Sequence, residues 1–258
     1  MMSHLFISDV HIGAFEEDVD RTIQRDLISL IDYCSSRNIQ IHILGDLFDY
    51  WMEYPGWHPR FGSDVLRSLQ QHAKKVAPVN FIMGNHDNWT KGHFEDLGFI
   101  VTNEFFDITL NNTRFFLHHG DGLHDPEYKL PRPAMHRLLR NKMFVKLYQS
   151  VLPPKTGLSL MKAFSDYSKR RAYCDPSVLD NWSEEFLRIT DYDVVISGHD
   201  HQPRVLDFDG GTYINLGTFF DDRSVSFYNN GIVELVVWNA AQKTLLPFEQ
   251  RYKIAANL

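Results

Sequence analysis

Five short apolar runs in this chain each end in side chains that bind cations. Leu5-Phe6-Ile7 is followed by Ser8-Asp9-Val10-His11, Ile41-His42-Ile43-Leu44 by Gly45-Asp46-Leu47-Phe48-Asp49, and Val79-Asn80-Phe81-Ile82-Met83 by Gly84-Asn85-His86-Asp87. Phe115-Phe116-Leu117 leads into His118-His119-Gly120-Asp121, and Val194-Val195-Ile196 into Gly198-His199-Asp200-His201. The donors are carboxylate oxygens, an amide oxygen and imidazole nitrogens, with no thiolate. That mixture suits Mn²⁺, Fe or Zn²⁺ and argues against a structural cysteine zinc site. Asp9 and His11 are two apart, which on an extended segment points both to one side, and His199 and His201 repeat the spacing. Asp46 is placed to bridge two cations, and Asn85 adds a neutral oxygen. Gly45, Gly84, Gly120 and Gly198 beside these residues permit tight turns and close backbone approach. A lone histidine after a strand is ordinarily a solvated or satisfied residue. Five such motifs, each after an apolar run, are not explained that way.

The elements that must carry these groups have a readable rhythm. Ile23, Leu27, Leu30, Ile31 and Cys34 recur at helical spacing between the first two runs. Between the second and third, Ser63 has the chemistry of an N-cap ahead of Val65, Leu66, Leu69 and Ala73. Strand alternating with helix implies buried parallel strands joined by crossover helices. In such sheets ligands sit outside the carboxyl ends of the strands, which is where all five motifs fall. Residues 212–216, 224–228 and 232–238 read as antiparallel meanders, with turn signals at Asp209-Gly210-Gly211 and Asn229-Asn230-Gly231. The fold class expected is α/β, a two-sheet sandwich flanked by helices, forming a single domain over residues 1–258.

Residues 124–185 break the rhythm and read as a helical cap inserted into that domain, with Met135, Leu138, Leu139, Phe144, Leu147 and Tyr148 at helical spacing. Residues 124–174 carry eleven Lys and Arg against three Asp and Glu, a local +8 in a chain of net charge −7. The remainder is therefore strongly acidic, which argues against a nucleic-acid partner. The apolar fraction of 43% over 258 residues is enough for a sizeable core. Two cysteines, Cys34 and Cys174, without CxxC spacing point to a reducing compartment. No basic n-region opens the chain and no run approaches the ~20 apolar residues of a membrane span, so a cytoplasmic protein is expected.

Taken together the five motifs resemble the calcineurin-like metallophosphoesterase superfamily, whose pattern is D-x-H, G-D-x-x-D, G-N-H-[DE], H and G-H-x-H. The resemblance implies a metal-dependent hydrolase with two divalent ions, Mn²⁺ foremost. One ion would be held by Asp9, His11, Asp46 and His201, the other by Asp46, Asn85, His119 and His199, with Asp46 bridging. It implies that His86 acts as donor or general acid toward the phosphoryl group or leaving oxygen, oriented by Asp49. Asp87 is expected to fix the loop, and His118 to be a strand or supporting residue. The stretch from His119 through Asp125, Tyr128, Arg140-Asn141 and residues 164–169 is similar to the UDP-2,3-diacylglucosamine hydrolases of lipid A biosynthesis, which release UMP and a lipid 1-phosphate. This implies a nucleotide-linked lipid substrate contacted by Asn85, His199, Asp125, Tyr128 and Ser168. It also implies a cap that receives acyl chains and a peripheral contact between the basic cap and an anionic membrane surface. The chain departs from those hydrolases in carrying His86 where they carry arginine, and in the stretch Arg170-Arg171-Ala172-Tyr173. The competing expectation is a metallophosphoesterase acting on another phosphomonoester or phosphodiester.

Overall fold

A computed structural model describes residues 2–169 and 175–250, with the backbone alone for 166–169 and 250. Four parallel strands in sequence order open the chain: β1 (Ser3–Ile7), β2 (Ile39–Leu44), β3 (Val79–Ile82) and β4 (Phe99–Thr102). The helices α1 (Glu17–Arg37), α2 (Ser63–Lys75) and the short α3 (His93–Asp96) connect them. The helical spacing read from the sequence is the buried face of α1, through Ile23, Leu27, Leu30, Ile31 and Cys34. Ser63 does not cap α2. Gly62 takes the cap position at φ 69°, which glycine reaches without the Cβ clash, and Ser63 is the first helical residue.

The chain then builds a second sheet from β5 (Phe105–Leu110) and β6 (Thr113–His118), a hairpin turned by Asn111 and Asn112, both at positive φ. After the helices α4 (Ala134–Leu139), α5 (Lys142–Val151), α6 (Pro154–Lys169) and α7 (Pro176–Ile189), β7 (Val194–Ser197) pairs in parallel with β6. β8 (Arg204–Phe208) and β9 (Gly211–Asn215) complete that sheet, in the order β5-β6-β7-β9-β8. The antiparallel β10 (Ser224–Asn229), β11 (Ile232–Asn239) and β12 (Thr244–Pro247) return to the first sheet, whose order is β12-β11-β10-β1-β2-β3-β4. Residues 212–216 thus belong to the second sheet, beside β7, and are not part of the meander of the first.

Strand alternation sorts the core into layers. Leu5 and Ile7 face α1 and α2, while Phe6 faces the second sheet with Phe115, Leu117, Ile196 and Ile214. Phe116 points the other way and packs with Trp182 and Phe186 of α7. The result is the expected α/β two-sheet sandwich. α7 flanks the second sheet although its first part falls within residues 124–185. It is α4, α5 and α6 that cover the loops after β2 and β3, packing Leu139, Phe144, Tyr148 and Met161 on Met52, Tyr54 and Trp89. Among the described residues no helix is long and apolar enough to cross a membrane.

Candidate metal centre

β1, β2 and β3 of one sheet and β6 and β7 of the other deliver their carboxyl ends to one place. Three overlapping groups there, Asp9 with His11 and His201, His11 with Asp46 and His86, and Asp9 with Asp46 and His119, have donor atoms within 4.8 Å of one another. His11 Nε2 lies 3.3 Å from His201 Nε2 and 3.7 Å from Asp46 Oδ2. His119 Nε2 lies 3.3 Å from Asp46 Oδ2 and 2.9 Å from Asn85 Oδ1. Asp46 therefore sits between the two halves of the cluster. The ring of His199 stands edge-on to that of His119 with centroids 5.1 Å apart, and its backbone N–H donates to Asp9 Oδ2 at 3.0 Å. All seven residues proposed as ligands from the sequence are brought together.

The backbone that does this is not the extended segment expected for Asp-x-His. Asp9 (φ 50°), His11 (51°), Asp46 (53°), His199 (74°) and His201 (61°) all lie in the left-handed region. For residues with a Cβ this costs ~1–2 kcal/mol each, strain of the kind that collects at functional sites. Both members of each pair still face the cluster, because two left-handed residues turn the chain sharply instead of letting it alternate. Gly84 is required by closeness: a Cβ there would lie 2.0 Å from Asp46 Oδ1.

The donor set fits divalent cations. Nδ1 of His119 donates to the carbonyl of Leu44 at 2.8 Å, which in the neutral ring leaves the Nε2 lone pair facing Asp46 and Asn85. Atoms that face one another as acceptors need either a proton or a metal ion between them. Asp9 Oδ1 is buried without a hydrogen-bond partner among the described residues. Burial works against charge on Asp46, but the opposing charges of His119 and His86 hold its carboxyl well below the usual range. Burial likewise opposes protonation of His119, yet Asp46 pushes its imidazole up to about 10. His11 rises to about 9, where bonds to Asp49 and Asp9 outweigh burial.

His86 stands beside this cluster, its Nε2 4.0 Å from Asp46 Oδ2. The ring is oriented by Asp49, but through the backbone: Nδ1 donates to the Asp49 carbonyl at 2.8 Å, while the carboxylate Oδ1 is 3.6 Å away. That carboxylate lies closer to His11 Nδ1, at 3.2 Å. Asp87 accepts from the amides of Gly84 and Leu47, each at 2.8 Å, and so fixes the loop. His118 is buried at the end of β6 against Trp182.

The model of the calcineurin-like phosphoesterase family matches residues 2–203 of the chain. The chain belongs to that family. As a calcineurin-like phosphoesterase it is a metal-dependent hydrolase. It is 28% identical over 218 residues to a UDP-2,3-diacylglucosamine hydrolase of Porphyromonas gingivalis, covering 76% of this chain and 82% of that one. It is 30% identical over 211 residues to the protein of the same name from Hamiltonella defensa, covering 79% of each. Among solved structures, Yfce, a phosphoesterase from E. coli, aligns over 95% of this chain and 96% of its own, with 16% identity and a TM-score of 0.49.

Beyond the family motifs, this phosphoesterase has a groove of about 130 Å³ that runs from Asp49, Asn85 and His86 under the cap. Its apolar walls are Met52 and Trp89 of the core and Met135, Leu139, Met161 and Phe164 of the cap. Ser165 also lines it, with Oγ 3.2 Å from His86 Nδ1. Sequence reasoning did not assign Ser165 or Trp89 to the site; Trp89, two residues after Asp87, was marked only by closeness to the Gly-Asn-His-Asp motif, and nothing local marks Ser165. Asp125 and Tyr128 are not among the groove residues. Asp125 caps a 3₁₀ turn by accepting from Glu127 N at 2.9 Å, and Tyr128 packs among Phe105, Phe116 and Phe186. The side chain of Ser168 and the whole of residues 170–174 lie outside the described residues.

Proposed function

We propose that this phosphoesterase hydrolyses the pyrophosphate of UDP-2,3-diacylglucosamine to 2,3-diacylglucosamine 1-phosphate and UMP. The observation that carries the reading is the apolar groove whose polar end is Asn85 and His86. A small polar ester has no use for the exposed apolar surface of Met135 and Phe164, whereas acyl chains gain ~25 cal/mol per Å² buried there. The relatives of the same name, similar over most of their length, support the same substrate class.

Asp9, His11, Asp46 and His201 would hold one cation, and Asp46, Asn85, His119 and His199 the other. When bound, two such ions lower the pKa of a water and neutralise charge on the phosphoryl oxygens. The residues of the chain do the rest. His86, held at Nδ1, presents Nε2 to the phosphoryl or leaving oxygen and donates from it when the ring takes up a second proton, which burial disfavours and the charge of Asp46 favours. The cap excludes water and holds the lipid. Met143, Leu147 and Val151 of α5 are more than 60% exposed beside Lys142 and Lys146. They form an amphipathic face suited to an anionic bilayer, from which such a substrate would be drawn.

The test compares Mn²⁺-dependent hydrolysis of UDP-2,3-diacylglucosamine with that of bis-p-nitrophenyl phosphate. Release of UMP with a kcat/KM well above that for the small diester is expected. Rapid turnover of the diester alone would instead favour the second reading, another phosphoester substrate, for which His86 in place of arginine speaks.

A further inference from the structure

We infer that Arg140 is a positioning residue for the second metal site, a clamp reaching from the cap to both loops that supply its ligands. The inference rests on the dinuclear reading above. Arg140 follows the last turn of α4. Its Nη2 donates to the carbonyls of Met83 at 3.0 Å and Gly84 at 2.8 Å and to Asp121 Oδ2 at 2.9 Å, and its Nη1 to the carbonyl of Asn103 at 3.2 Å. Met83 and Gly84 immediately precede Asn85. Asp121 follows His119 by two residues. One guanidinium therefore joins the loop of Asn85 to the loop of His119, and these two ligands face each other at 2.9 Å.

The need for such a clamp follows from Gly84. That position admits no side chain, so the peptide leading into Asn85 has the widest conformational freedom of any residue and nothing of its own to hold it. Asp87 fixes the Gly84 amide at 2.8 Å from the core side. Arg140 fixes the carbonyl from the cap side. Its pairing with Asp121 is buried, and Arg132 Nε approaches the same carboxylate at 3.3 Å. Removing one partner of a buried pair leaves the other uncompensated, so the contact differs in kind from an exposed ion pair. Lysine reproduces it only in part, because one ammonium in place of Nη2 has no second nitrogen to reach the carbonyl of Asn103 and no planar group to hold the two contacts in fixed relation. Placement of α4, which carries the groove wall at Met135 and Leu139, is thereby tied to placement of Asn85.

The experiment titrates Mn²⁺ calorimetrically into the metal-stripped full chain, as wild type, Arg140→Met and Arg140→Lys, with thermal melts to establish folding. Wild type is expected to bind two ions. Arg140→Met should bind one with unchanged affinity and the other roughly 10–100-fold more weakly, the usual effect of losing a group that orients a ligand. The paramagnetic resonance signature of a coupled manganese pair should fade at ion concentrations that saturate wild type. Arg140→Lys should fall between. Two ions bound as in wild type, or equal weakening of both in a folded variant, would overturn the clamp. If Arg140→Met does not fold, Arg140→Lys makes the same comparison, since it keeps the charge beside Asp121 and loses the fork. Fewer than two ions in wild type would reject the dinuclear reading and the clamp with it. Selective loss of one ion in the variant supports the clamp whether or not the lipid is the substrate.

Discussion

Ser165 of the cap helix α6 places its Oγ 3.2 Å from Nδ1 of His86, in the core. The same Nδ1 donates to the Asp49 carbonyl at 2.8 Å, so one proton is shared between an acceptor of the core and one of the cap. The cap thus takes part in aiming the ring. Ser165→Ala removes the longer, neutral contact, worth about 1 kcal/mol. It should lower kcat about 5-fold with little change in KM. His86→Ala removes the donor itself and should lower kcat by roughly 10²–10⁴. Steady-state kinetics with bis-p-nitrophenyl phosphate, together with metal content, checks both. Loss of an ion from His86→Ala would make the ring structural.

Asp46 offers its Oδ2 to both halves of the cluster, 3.3 Å from His119 and 3.7 Å from His11, while its Oδ1 accepts from the His86 amide at 2.9 Å. Asp46→Asn keeps a similar shape but removes the charge shared between two cations. Turnover should fall to background. A ligand present at 100 times its Kd stabilises a fold by about 3 kcal/mol. Wild type should therefore gain about that much for each ion in urea unfolding with Mn²⁺, and Asp46→Asn at most half the total. An equal gain in both proteins would mean that residue 46 does not bridge.

The groove makes a prediction specific to lipid. Met135 and Phe164 expose large apolar surface on the cap side, 47% and 36% of each residue. If acyl chains cover them, losing either side chain forfeits about 1.5–3 kcal/mol of burial. Met135→Ala and Phe164→Ala should each reduce kcat/KM for UDP-2,3-diacylglucosamine by roughly 10–100-fold and leave bis-p-nitrophenyl phosphate hydrolysis unchanged. Matching losses on both substrates would place the damage at the metal centre rather than in the groove.

The clustered carboxylates, imidazoles and amide were legible in sequence because their chemistry is local: each motif sits directly after a strand, and four of the five combine their side chains with a glycine that permits close approach. What joins the centre to the cap is not local. Arg140 meets Gly84, and Ser165 meets His86, across long stretches of chain, and nothing in the spacing of α4 or α6 marks which polar residue turns inward. The backbone of Asp9 and His11 was misjudged for a different reason. Two-residue spacing puts side chains on one side in an extended strand, but a pair of left-handed residues brings them to one place as well. β4, β5, β8 and β12 escaped notice because they lie at or near sheet margins, where half-exposed side chains such as Val205 and Asp207 of β8 weaken the apolar signal. The Asn111-Asn112 pair was a turn signal for the β5–β6 hairpin, since asparagine tolerates positive φ.

A pH effect independent of the metal centre is expected from His72 on α2. The ring is fully buried against α1, where its Nδ1 is 2.9 Å from Ser35 Oγ and its Nε2 has no hydrogen-bond partner among the described residues. Burial, and secondarily the charge of Lys75, lowers its pKa from 6.5 to about 4. Because the folded value lies below the unfolded one, the unfolded chain binds the extra proton between those limits, and stability there rises with pH. The contribution is fully present above about pH 6.5 and is lost as pH falls toward about 4. With ~1.4 kcal/mol per unit, the loss is a few kcal/mol. His72→Gln cannot take up a proton in that range, so urea midpoints of wild type and variant should differ most at neutral pH and converge as the solution is acidified to about pH 4. A difference that stays constant between those values would mean that the His72 ring is already solvated in the folded protein.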